Sequence, residues 1–115
     1  MRIVNRADFL DLPKGTVFSK YEPCIFGDLE IKGSTVCGKD FYVQQIADAV
    51  DANDSDEFGD VLFGAAQNGT SVKLDLDCEV RDGLFDADQL FAVWEKSDVL
   101  QLVERLQRAI KDAYT

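Results

Sequence analysis

The chain contains no histidine, so it lacks the side chain most used as a general base near neutral pH and the commonest metal ligand. A Ser or Cys nucleophile would have no imidazole to activate it. Basic residues are scarce as well: twelve Lys and Arg stand against 22 Asp and Glu, a net charge of −10. Nucleic-acid binders carry a basic footprint and anionic membranes attract basic segments, so neither partner is expected. No apolar run approaches the roughly 18 residues of a membrane span. The opening MRIVNRADFL lacks the apolar stretch of a secretory signal, which predicts a cytoplasmic protein. Cysteines number three, an odd count that predicts reduced thiols. Cys24, Cys37 and Cys78 match no zinc-knuckle spacing and are expected as small buried side chains. Phosphate loops are missing too, since Gly27, Gly33 and Gly38 do not form GxGxxG and no GKS or GKT occurs, Gly33-Ser34 lacking the lysine between them.

What is present describes an ordinary globular protein. Of 115 residues, 46% are hydrophobic and 30% charged, which predicts a single domain spanning 1–115. Area scaling gives about 6,300 Å² exposed when folded, against roughly 18,600 Å² unfolded. That burial supports a core without disulfides or metal.

The order of elements predicts an α+β fold. Asn5 caps a short helix over residues 5–11, and Leu12-Pro13 stops it. From Thr16 the period becomes two, with Val17 and Tyr21 opposite Phe18 and Lys20, until Pro23. Phe26 to Lys32 alternates again, setting Leu29 and Ile31 against Asp28, Glu30 and Lys32. Phe41 to Val43 reads as strand, while Gln44 to Val50 fits either period. Asp54 and Glu57 form a capping box for a helix whose Phe58, Val61, Leu62 and Ala65 predict a core-facing stripe, closed by Asn68-Gly69. Val72 to Val80 alternates through nine residues and reads as the strongest strand. Asp86 caps a final helical segment with Leu90, Phe91, Val93 and Trp94 on its first apolar face. Ser97 reads as a fresh N-cap and predicts a kink or a break near Lys96 to Asp98, after which Val99, Leu102, Val103, Leu106 and Ile110 continue a stripe. The expected architecture is a mostly antiparallel sheet of about four strands, a central helix, and a long C-terminal helix packed on one face.

Charge is distributed unevenly. Residues 1–39 carry +1 and residues 89–115 are neutral, so residues 40–88, with thirteen acids and two bases, hold −11. Asp75, Asp77 and Glu79 would project from one strand face about 6.7 Å apart. Two such charges repel by only about 0.6 kcal/mol in water, so the row needs no bound cation. It offers a negative surface to a basic partner. The predicted contact residues are Asp54, Asp56, Glu57 and Asp60 at the start of the central helix, with Asp75, Asp77 and Glu79 on the strand.

Other chemistry fits less well. Asp51, Asn53 and Ser55 begin a calcium-loop pattern, but Asp56 stands where Gly is needed and Leu62 where Glu is needed. Asp75, Asp77, Glu79 and Asp82 would supply a carboxylate-based, metal-dependent hydrolase, yet that segment repels a polyanionic substrate. A small-ligand protein sequestering a nucleotide-like signal would contact its anion through Lys20, Lys32 and Tyr21. Phe63, off its helix's stripe, and Tyr42, opposite Phe41, are candidate aromatic anchors.

The runs LPKGTVFSKYEPCIFGDLEIKG (Leu12 to Gly33) and DGLFDADQLFAVWEKSDV (Asp82 to Val99) resemble those of small bacteriophage and prophage proteins. The likeness is one of type and carries no catalytic signature. Small acidic proteins of that kind resemble inhibitors of host defence, including anti-CRISPR proteins and DNA mimics. The resemblance implies a non-enzymatic protein without a cofactor, which binds and inhibits a host defence or nucleic-acid-handling protein through a basic surface on that partner.

Overall fold

Six antiparallel strands form one sheet in a computed structural model that describes residues 1–114. The strands are β1 (Arg2–Val4), β2 (Val17–Glu22), β3 (Ile25–Val36), β4 (Asp40–Gln45), β5 (Glu79–Arg81) and β6 (Leu90–Val93), in spatial order β1-β6-β2-β3-β4-β5. Three helices accompany them: α1 (Arg6–Leu10), α2 (Ser55–Asn68) and α3 (Lys96–Ala113). The class is α+β as expected, with two strands more than the sequence pattern predicts.

The core is a cluster of four phenylalanines under α1. Phe9 of α1 stacks on Phe91 with ring centroids 3.9 Å apart and meets Phe18 and Phe41 edge-on. Val43 and Val93 complete it, with Val4, Leu10 and Leu12 packed around. Asn5 positions α1 by accepting the Asp8 N–H at 2.8 Å. Cross-strand partners Phe18–Val93 and Lys32–Val43 place these residues on one sheet face. Lys32 lies inside this core region, 2% exposed, donating to the Gly33 carbonyl and the Thr35 hydroxyl. A shift of register between Lys32 and Thr35 marks a bulge there. At that bulge the backbone passes so close to β4 that a Cβ on Gly33 would sit 2.8 Å from Tyr42 Cβ.

Several expectations are corrected. Leu90–Val93 is strand β6, not the first turns of a helix. Four consecutive apolar residues fit both periods, and burial between β1 and β2 selects the strand. Of the kink or break expected near Lys96 to Asp98, the break is found: a new helix, α3, begins at Lys96 with Glu95 rather than Ser97 as its cap, the Glu95 N–H donating to Asp98 at 2.8 Å. The nine-residue strand over Val72 to Val80 is reduced to β5 plus one bridge between Val50 and Leu74. The Asp75 carboxylate accepts the Asp77 N–H at 3.0 Å, and this local turn breaks the ladder. All three cysteines are exposed rather than buried. Cys24 and Cys37 occupy left-handed turn positions, with φ of 64° and 53°.

The longer helices also differ from expectation. Neither α2 nor α3 contains a buried residue, and the extensive contacts between elements lie within the sheet and between α1 and β6. Asp54 and Gly69 cap α2 as the sequence predicts, with Gly69 left-handed at φ 69°. Yet the Phe58 to Ala65 stripe is only part-covered, and Phe63 is 79% exposed. The total exposed area is 8118 Å², well above the roughly 6,300 Å² of a monomer this size. The radius of gyration, 16.1 Å, exceeds the roughly 13 Å of a compact chain of this length.

Candidate functional site: an acidic groove beside the core

The sheet face that carries the core changes character within one pleat. Along β2 the residue after Phe18 on that face is Lys20; along β3 Glu30 follows Lys32; along β4 Gln45 follows Val43. Where α1 stops covering the sheet, charged and polar side chains replace phenylalanine. Two adjoining hollows result, sharing Gln45, Asp48 and Val80. One, of about 290 Å³, is lined by Lys20, Asp28, Glu30 and Asp82 among others. The other, of about 450 Å³, runs past Gln44 and Asp75 to Asp54 and Phe58 at the start of α2. Together they make one groove edged by Asp28, Glu30, Asp48, Asp54 and Asp75.

The electrostatics of the groove follow from this arrangement. Glu30 has its pKa raised, first by burial and then by the negative charges of Asp28, Asp82 and Asp48, against the opposing pull of Lys20. Lys20 donates to Asp82 at 2.6 Å and is committed to that carboxylate. Behind the groove, Arg6 approaches Asp82 at 3.8 Å and Asp40 at 4.0 Å, and Arg81 Nε donates to Asp40 at 2.8 Å. Burial would raise the Asp40 pKa, but hydrogen bonds from Arg81 and the Gly83 and Phe41 N–H groups outweigh it and hold the carboxyl below its ordinary value. Gln44, which lines the larger hollow only, is 6% exposed. Its Nε2 donates to the Gln45 and Asp75 carbonyls, which fixes the amide's orientation and leaves Oε1 without a partner.

The predicted contact residues divide. Asp54 and Asp75 line the groove, though Asp54 also caps α2 by accepting the Glu57 N–H at 2.8 Å. Glu57 turns back to accept from Asn53 N and Nδ2 at 3.2 and 3.0 Å. Asp56 and Asp60 are exposed on α2, extending the negative field from the groove. Asp77 sits in the turn capped by Asp75. Glu79 leaves the set: it alternates with groove-lining Val80, faces the other side of the sheet, and lies 4.0 Å from Lys14. The regular carboxylate row of Asp75, Asp77 and Glu79 is therefore absent, because the segment is a turn followed by a short strand.

Four of the thirteen acids between 40 and 88 have a cation within 4.0 Å: Asp40, Asp51, Glu79 and Asp82. Asp48, Asp54 and Asp75 have none among the described residues, so the groove keeps its charge. Sequence reasoning missed Asp28, Glu30 and Asp48 as groove residues. Of the anion-contacting residues expected for a small-ligand protein, Lys32 is internal and Lys20 is paired. Tyr21 lines a further hollow of about 290 Å³ with Phe26 and Gln89, which adjoins the smaller one at Lys20 and Gly27. Among the described residues, no group of three or more Cys, Asp or Glu is placed to hold a metal ion, and no helix is long and apolar enough to cross a membrane. Comparison with protein-family models, curated proteins and solved structures finds no match to this chain.

Proposed function

We propose that this protein is a non-enzymatic binder that seats Lys and Arg side chains of a partner protein in the groove between β3, β4 and the start of α2. The observation that carries this reading is Glu30, a carboxyl pushed toward its neutral form by burial and by three neighbouring acids. A guanidinium or ammonium placed there would restore the charged form and exchange repulsion for charge-assisted hydrogen bonds. Asp54 and Asp75 act within the groove, and Asp56, Glu57 and Asp60 steer the encounter from outside it. The resemblance to phage-type inhibitors supports a host protein with a basic surface as the partner, and inhibition as the outcome.

Capture from a bacterial lysate at low salt, followed by a salt gradient, tests this. The wild-type chain is expected to retain a basic protein that elutes as salt rises, and the Glu30→Gln, Asp48→Asn, Asp75→Asn triple variant to lose it. Equal retention by both proteins would remove the groove from the mechanism.

A further inference from the structure

We propose that the apolar face of α3 is a homodimerisation surface whose occupant is the α3 of a second copy of this chain. The helix is 18 residues long, about 27 Å. Val99, Val103, Leu106, Ile110 and Ala113 recur at alternating steps of four and three, the heptad spacing of a two-helix seam. Val103 and Ile110 take one seam position, and Val99, Leu106 and Ala113 the other, so the middle of the seam sets β-branched residues around a leucine. Val99 is part-covered, but among the described residues nothing buries the rest of the seam: Leu106 is 54% exposed and Ile110 57%.

The chain as a whole, α2 and α3 together, exposes about 1,800 Å² more than the roughly 6,300 Å² of a monomer of its mass, against the about 800 Å² that a standard interface takes from each partner. The opposite face of α3, with Asp98, Gln101, Arg105 and Arg108, lines a groove of about 560 Å³ against Met1 and Trp94, while the seam faces outward. The Met1 ammonium fixes the start of α3 there through a 2.6 Å ion pair with Asp98.

Charge selects a second copy as the occupant. A two-fold contact sets each patch against itself, so like charges at its centre would repel. Here the positions flanking the seam are Leu100, Leu102, Gln107, Ala109 and Tyr114, all uncharged. The helix Lys96–Ala113 carries four bases and three acids, a net +1 within a chain of −10. Two strongly anionic chains meeting at this helix keep the −11 of residues 40–88 out of the contact.

Sedimentation velocity and native mass spectrometry of the full chain decide the matter, from about 1 µM to about 200 µM. The expected result is a species of twice the 12.8 kDa chain mass. Leu106→Glu and Ile110→Glu are expected to weaken it by about thirtyfold or more. Both side chains are half-exposed in the monomer, so Trp94 fluorescence is expected to stay native; should a glutamate disturb folding, Leu106→Ser carries the same reading. Raising salt is expected to tighten the dimer by screening the −10 charges, the opposite of its effect on groove binding. A wild-type monomer at the highest concentration, or a dimer undiminished in the folded variants, overturns the proposal.

Discussion

Lys20 Nζ lies 2.6 Å from Asp82 Oδ1 at the edge of the acidic groove, joining residues 62 apart in sequence. The pair both supports the fold and limits the groove's negative charge. Lys20→Met is expected to raise the affinity of a basic peptide severalfold, because the groove loses a competing cation. The same change leaves a carboxylate that is 4% exposed with Arg6 at 3.8 Å and the Leu84 N–H at 3.3 Å, costing about 1–2 kcal/mol of stability in denaturant titration. A fall in affinity would show that Lys20 itself contacts the partner.

Asp40 predicts an acid-sensitive stability term. Its folded pKa is depressed, so its contribution is complete above the ordinary carboxylate value of 3.8 and is lost as pH falls through the folded value. Asp40→Asn is expected to cost about 2 kcal/mol at pH 7, with the gap to wild type closing below the ordinary carboxylate range. Urea titrations across that range check the convergence.

Glu30 predicts the opposite sign. A raised folded pKa adds stability that is present below 4.5 and lost as pH rises through the folded value. Glu30→Gln is therefore expected to be more stable than wild type at pH 7 and equal to it in acid. Affinity for a basic peptide is expected to rise with pH through the same window in wild type, with a shallower rise in the variant. Thermal unfolding and peptide titration over pH 4 to 7 measure both.

Phe9 carries the packing of α1 onto the sheet, fully buried against Phe18, Phe41 and Phe91. Phe9→Ala is expected to cost about 3–5 kcal/mol, a large share of the roughly 5–15 kcal/mol that holds a small domain folded. Phe63→Ala, on the exposed side of α2, is expected to change stability by less than about 0.5 kcal/mol. Paired denaturant midpoints test the contrast.

Local signals were legible in the sequence where one residue type sets one backbone feature. Asn5 and Pro13 bound α1, while Asp54 and Gly69 bound α2. Signals failed where partners decide. Leu90 to Val93 fits a helix or a strand, and only its place between β1 and β2 settles the matter. The alternation from Val72 to Val80 does not reveal that Asp75 bonds its own backbone two residues on. Charge density between 40 and 88 located Asp54 and Asp75. It passed over Asp28 and Glu30, whose near-neutral segment reaches the groove only through the β3–β4 pairing. Their alternation on one strand face was the available clue.

The central claim is that the groove, rather than acidity spread over the surface, seats cationic side chains. Titrating the ¹⁵N-labelled chain with a blocked tri-arginine peptide tests it residue by residue. Shifts are predicted to concentrate at Glu30, Gln44, Gln45, Asp48 and Asp75, to saturate, and to vanish in the triple variant. Weak, unsaturable shifts distributed over Asp56, Asp60, Asp86 and Asp88 as strongly as over the groove would contradict it.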